Sequence, residues 1–159
     1  MSELSPVETV RISKRGKIQL ITLKRRTGLK NWNVICRWAL CASLAEPSPP
    51  IRQDSGDYSN VEMSWHTFAS QHDDLYTALL AARCILDGLG TDRATMAEQF
   101  QLHVHRGLAY LVGNHGTRSL AGLASLVKSY ASQDSSQDLS IADEMPLSQM
   151  GTPSRTEST

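Results

Sequence analysis

One long stretch of this chain has no acidic residue at all. Residues 11–37 contain no Asp or Glu, yet they hold nine cations: Arg11, Lys14, Arg15, Lys17, Lys24, Arg25, Arg26, Lys30 and Arg37. The whole chain balances sixteen Lys+Arg against sixteen Asp+Glu. Residues 38–159 therefore take most of the acids, and the molecule is electrically polarised. Such asymmetry points to a polyanionic partner.

Long apolar runs are also missing. None reaches the ~18 residues that a spanning helix needs, which excludes a transmembrane helix. The opening Met1-Ser2-Glu3-Leu4-Ser5-Pro6 has no cationic region followed by an apolar stretch. No secretory signal is expected, and the cytoplasm is the expected compartment. Cysteines are few. Cys36, Cys41 and Cys84 form an odd set without a CxxC pair. Cys36 and Cys41 stand roughly 140° apart on a helix, so they do not converge as ligands there. All three read as reduced, partly buried small hydrophobes.

Catalytic signatures are absent as well: no GxSxG, no Walker loop and no GxGxxG after a strand. No catalytic residue, metal or cofactor is expected. His103 and His105 are about 200° apart on a helix, so one helix cannot aim both at one ion. His66 and His72 lack Cys or carboxylates at finger spacing. Asp73-Asp74 reads as a pair that complements a helix macrodipole. Aromatics make up 6% of the chain. Trp32, Trp38 and Trp65 read as core anchors rather than as stacking platforms for bases.

What is present reads as mainly α. Residues 7–12, β-branched and free of Gly and Pro, predict a short strand. Ser13 is the expected N-cap of a helix over 14–26 that ends at Gly28, with Leu29 folding back on Leu23 in a Schellman-type cap. Gly16, Leu20, Leu23 and Thr27 share its core face. Lys14, Lys17, Lys24 and Arg25 lie opposite, with Ile21 among them. A second helix fits 31–46, stopped by Pro47. It is apolar on most sides, with Ile35, Trp38, Ala39, Ala42 and Ala45 in one stripe. Residues 47–60, opening Pro47-Ser48-Pro49-Pro50, read as a linker. A third helix fits 73–86, with Leu75, Leu79, Ala82 and Leu86 in register. A fourth fits 93–112, capped near Thr95 or earlier, at Thr91 or Asp92. A last one fits 118–130 and carries Leu120, Leu123, Ala124 and Val127.

From residue 131 to 159 the chain is Ser-, Thr-, Gln- and acid-rich, with almost nothing to bury, so a disordered polar tail is expected. The expected domain is residues 1–130. Its strand followed by two helices suggests a ribbon-helix-helix-like topology, in which the strand pairs with a partner subunit and Arg11 reaches a DNA groove.

The basic segment carries the functional reading. A bland surface helix alternates signs, because opposite charges at i,i+4 support it. Here repulsion is left uncompensated, and a phosphate backbone would relieve it and release counterions. The alternative is neutralisation by acids of the third and fourth helices, within the chain or across a subunit interface.

Several strings also match a known family. They are Leu23-Lys24-Arg25-Arg26-Thr27-Gly28, Asn31-Trp32-Asn33-Val34-Ile35-Cys36-Arg37-Trp38-Ala39, Ser43-Leu44-Ala45-Glu46-Pro47, Ser59-Asn60-Val61-Glu62-Met63-Ser64-Trp65, and Ala97-Glu98-Gln99-Phe100 through Leu102-His103-Val104-His105-Arg106-Gly107. Across about residues 5–112 the chain resembles DndE, the small DNA sulfur modification protein of bacterial phosphorothioation (restriction-modification) systems.

The resemblance implies a non-catalytic, DNA-binding accessory subunit. It implies a ribbon-helix-helix-related homotetramer that prefers nicked duplex. It also implies work beside an iron–sulfur sulfurtransferase-like protein and an ATPase subunit. Carried onto this sequence, the DNA contacts are Lys14, Lys17, Lys24 and Lys30, with Arg25 and Arg26 beside them. Arg11 joins them on the ribbon-helix-helix reading of the strand, and Arg15 on charge. Other readings remain: a scaffold docking the other modification proteins, a ribbon-helix-helix transcriptional repressor, or a nickase built on His103 and Asp92.

Overall fold

In the computed structural model of the 159-residue chain, residues 5–53, 56–114 and 119–137 are described. Strand β1 (Thr9–Ser13) runs directly into α1 (Lys14–Thr27), and α2 (Trp32–Leu44) follows. Then come β2 (Tyr58–Ser64), the short α3 (Trp65–Ala69), α4 (Asp73–Leu86), α5 (Arg93–Gly113) and α6 (Leu120–Gln137). The fold is mainly helical, with one two-stranded antiparallel sheet near the N-terminus. The chain divides into two units, residues 1–126 and 127–159. The core lies in the first. Helix α6 runs to Gln137, past the expected end at 130. The rest of the expected tail, 138–159, lies outside the described residues.

The β1–α1 junction forms where the sequence places it. The Ser13 hydroxyl accepts from the Gly16 N–H at 3.1 Å, an N-cap. Gly28 ends the helix in the left-handed region, φ +76°, and its N–H donates to the Lys24 carbonyl. This is the simpler αL cap rather than a Schellman motif. The reason is Thr27. Its hydroxyl donates to the Leu23 carbonyl at 2.7 Å and accepts from the Leu29 N–H, so the hydroxyl takes the second bond. Gly16, Leu20, Leu23 and Thr27 are all buried, as the spacing predicts.

Strand β2 falls partly in the stretch read as linker. Its residues alternate half-buried Ser59, Val61 and Met63 with exposed Tyr58, Asn60, Glu62 and Ser64, the period of a strand covered on one face. It pairs with β1 in the register Val10↔Met63 and Arg11↔Glu62, with a bulge before Ser13↔Tyr58. At the bulge the Ser59 hydroxyl donates to the Ile12 carbonyl at 2.7 Å, so that carbonyl is not orphaned. The strand partner of β1 is thus within the chain, where the ribbon-helix-helix expectation places a second subunit's strand.

Helices α2 and α5 form the centre. They pack so closely that a Cβ on Gly107 would lie 1.7 Å from the Ala39 carbonyl oxygen, so only glycine fits there. Ile35, Cys36, Ala39 and Leu40 meet Phe100, Val104, Leu108 and Leu111 in one core. Trp65, Phe68, Tyr76 and Phe100 form an aromatic cluster at its edge, with centroids 5.1–5.5 Å apart.

Two arginines close the C-terminal end of α2. Arg83 donates to the carbonyls of Leu44, Glu46, Pro47 and Ser48, and its Nε to Asp87 at 2.9 Å. Arg106 donates to the Ser43 hydroxyl, the Ser43 carbonyl and the Ser48 carbonyl, each at 2.7 Å. The last carbonyls of a helix need such donors, and its negative dipole end favours cations. This clamp orders the Pro-rich segment that the sequence shows only as a break.

Helix α4 has the expected bounds but the opposite face inward. Leu80, Arg83 and Cys84 are buried, whereas Leu75, Leu79, Ala82 and Leu86 are exposed, Leu86 by 82%. In α6, Leu126 packs on the core, while Ala124 and Val127 are exposed. Among the described residues no helix is long and apolar enough to cross a membrane.

Candidate nucleic-acid interface

The exposed side of α1 is a cationic ridge. At 100° per residue, Lys14, Ile18, Ile21 and Arg25 stand in one row, with Lys17 and Lys24 on one flank and Arg15 and Arg26 on the other. The first turn holds no acid. Cations there oppose the positive end of the helix dipole. Lys14, Arg15 and Lys17 therefore gain nothing from helix stability. Lys24, Arg25 and Arg26 occupy the last turn, where the dipole favours them, so their presence has a structural reason too.

The eight residues named from sequence differ in what surrounds them. Arg11 faces Glu62 across the strands, Nε to Oε2 3.8 Å, with both side chains more than half exposed. Lys14 Nζ lies 2.9 Å from Asp57 Oδ2, also exposed. Such pairs contribute about 0.2–1 kcal/mol each. Lys17 donates to the neutral Asn60 Oδ1 at 2.7 Å and keeps its charge uncompensated. The Lys24 ammonium sits 4.2 Å from the Trp32 ring centroid, a cation–π contact. Arg26 donates to the Val112 carbonyl at 2.8 Å, tying α1 to α5. Arg15, Arg25 and Lys30 are exposed and have no hydrogen-bond or ion-pair partner among the described residues.

Neutralisation does occur, but by acids other than those expected. Asp57 and Glu62 come from the β2 strand and its approach, not from the third and fourth helices. They answer two of the nine charges. Sequence reasoning missed both, together with Asn60 and the Trp32 platform. The alternation over 58–64 was the signal available. The ridge also exposes two large apolar residues, Ile18 at 66% and Ile21 at 49%.

The histidines of α5 diverge, as their spacing predicts. His105 accepts the Ser13 N–H at Nε2, 3.1 Å, and donates from Nδ1 to the Gln101 carbonyl at 2.8 Å. Both bonds suit the neutral ring, and burial lowers its pKa. His103 turns toward α2, with Nδ1 2.9 Å from the Ser43 hydroxyl. Arg106 Nε donates to the same hydroxyl, which leaves Nε2 as the second polar atom of the His103 ring. That nitrogen is buried without a partner among the described residues. Burial first, then the nearby Arg106 and Arg83 charges, push the His103 pKa down to about 4. Asp92, the other nickase candidate, is the N-cap of α5. It accepts from the Thr95 N–H at 3.0 Å and the Thr95 hydroxyl at 2.6 Å, which lower its pKa.

Cys36 and Cys84 are buried and Cys41 is exposed; all three are free thiols. Burial pushes the Cys36 thiol up to about 12, so it is inert at neutral pH. Among the described residues no group of three His, Cys, Asp or Glu converges as metal ligands do.

No curated protein matches this chain. The family model described as DndE, DNA sulphur modification protein DndE, matches residues 9–119, more than two thirds of the chain.

Proposed function

The chain belongs to the DndE family of DNA sulphur modification proteins, and from that premise we propose that it is the non-catalytic subunit that holds duplex DNA for the modification complex. One observation carries this reading. Arg15, Arg25 and Lys30 are exposed cations without a partner among the described residues, and Lys17 and Lys24 beside them meet only neutral groups. Phosphates would complete all five. Such contacts position without reading sequence, so binding is largely sequence-independent. A nick makes the duplex easier to bend onto a protein surface, which favours nicked over intact DNA.

The test is a salt titration by fluorescence anisotropy on matched nicked and intact duplexes. If five phosphates are neutralised, log affinity falls against log salt with a slope of about −4.5. Arg25→Glu with Lys30→Glu weakens binding roughly tenfold or more and flattens that slope. A slope near zero on both duplexes overturns the reading.

Ile18 and Ile21 favour a second reading. Two exposed isoleucines amid cations suit an acidic protein with an apolar anchor, such as another subunit of the sulfur modification machinery. Ile18→Ser with Ile21→Ser would then abolish pull-down of that subunit and leave the salt-dependent DNA binding in place. Self-association, to a homotetramer, belongs to the same proposal. The exposed leucines of α4 support it, since they form a continuous apolar stripe.

A further inference from the structure

A cavity of about 340 Å³ opens between the first turns of α1, the segment after Pro47 and the middle of α5. Its size falls at the small end of ligand sites, roughly 300–1,000 Å³. Among the described residues no Asp or Glu lines it, whereas Arg15 and Arg106 both do. Arg15 has no partner among the described residues. Arg106 spends three N–H groups on Ser43 and Ser48, all neutral acceptors; Glu46 and Asp87 act on its charge without an ion-pair contact, and two N–H groups remain. His105 adds no charge, because its Nε2 accepts the Ser13 N–H. Two guanidinium groups in one cavity favour an anion, and guanidinium suits phosphate in particular.

The remaining walls are not those of a simple anion site. Tyr110 is 41% exposed, and the Arg106 guanidinium lies 5.7 Å from its ring centroid. Ile51 stands 78% exposed at the same cavity, an apolar side chain with no core to join. Gln19 and Gln53 add amides that can both donate and accept. Two guanidinium groups, an aromatic ring, an aliphatic side chain and bifunctional amides in one cavity together match a phosphate joined to a planar, hydrogen-bonding ring.

We infer that this cavity takes one nucleotide, its phosphate drawn to Arg15 and Arg106 and its base laid against Tyr110 and Ile51. The nucleotide is either free in solution or an unpaired nucleotide of a bound strand. Only the second source rests on the DNA-binding reading above.

The test uses the full chain. Titrations followed by amide NMR shifts and calorimetry compare deoxyadenosine 5′-monophosphate, deoxyadenosine and inorganic phosphate. In parallel, anisotropy compares a fully paired duplex with one carrying a single unpaired nucleotide. The variants are Tyr110→Ser and Tyr110→Phe, which remove none of the α1 cations. For a free nucleotide, the monophosphate binds saturably, and both fragments bind roughly tenfold or more weaker. Tyr110→Ser then loses roughly tenfold or more while Tyr110→Phe retains binding.

For a strand nucleotide, Tyr110→Ser weakens only the duplex with the unpaired nucleotide, and Tyr110→Phe again retains binding. Inorganic phosphate binding as tightly as the monophosphate overturns the inference, because the base then contributes nothing. So does binding of every probe unchanged by Tyr110→Ser. If the paired duplex binds with steep salt dependence while Tyr110→Ser changes nothing, this inference fails and the DNA reading stands. If the monophosphate binds and no duplex does, the DNA reading fails and the cavity stands as a site for free nucleotide.

Discussion

His103 is the residue whose surroundings most limit its chemistry. It is fully buried between α2 and α5, which disfavours the charged ring, and two arginines stand near enough to oppose its protonation. Its pKa is pushed from the ordinary 6.5 down to about 4, so the unfolded chain binds a proton there that the folded chain refuses. The consequence has a definite sign. The stabilising effect is complete above about pH 6.5 and is lost as pH falls toward 4. Its full size is on the order of 3 kcal/mol. His103→Gln should therefore show a smaller loss of stability than the parent between pH 7 and pH 4.5, measured by urea unfolding. His105 titrates alike in both proteins and cancels. Equal losses would mean that His103 takes up its proton without cost, and the burial argument would be wrong.

At the scale of elements, the two strands set how much of the cationic ridge is available. β2 brings Glu62 opposite Arg11, and Asp57 just before it reaches Lys14. Both pairs are exposed, so they add little to stability. Their effect on a polyanion is larger, since each acid repels phosphate and occupies a cation. Asp57→Asn with Glu62→Gln should raise duplex affinity several-fold at low salt and steepen the salt slope, while the melting temperature hardly moves. Weaker binding in this variant would show that the β2 acids orient the cations rather than mask them.

The same elements show what sequence could and could not disclose. Helix α1, its Ser13 and Gly28 caps and its buried row follow from local chemistry, and all were legible. β2 was obscured because its prolines upstream and polar outward residues look like linker. The α4 stripe misled for a different reason. Periodicity shows that Leu75, Leu79, Ala82 and Leu86 share a face, but it does not say what covers that face. Here Arg83 turns inward instead, because the carbonyls at the end of α2 need donors. The Arg106 cavity had no linear signal, since its walls come from segments far apart in the chain.

Taken whole, the molecule presents two unlike surfaces, a cationic ridge on α1 and an apolar stripe on α4. Leu75, Leu79 and Leu86 are 53%, 41% and 82% exposed, and Ile85 beside them is 65% exposed. Scattered exposed leucines need no explanation, but a continuous row along one helix does. Self-association through this row would set several α1 ridges in one assembly. Each added ridge raises the effective concentration of cations along a duplex, so binding to long DNA gains by avidity. Leu79→Asp with Leu86→Asp should reduce the parent to a 17.5 kDa species in light scattering at tens of micromolar. It should also remove the concentration dependence of the melting temperature, without unfolding the chain, because neither side chain belongs to the core. The affinity for a duplex long enough to span several protomers should fall more than that for a short one. A parent that is already monomeric at that concentration would sink the assembly argument. The ridge would then have to act alone, and the leucines of α4 would mark the site of a different protein.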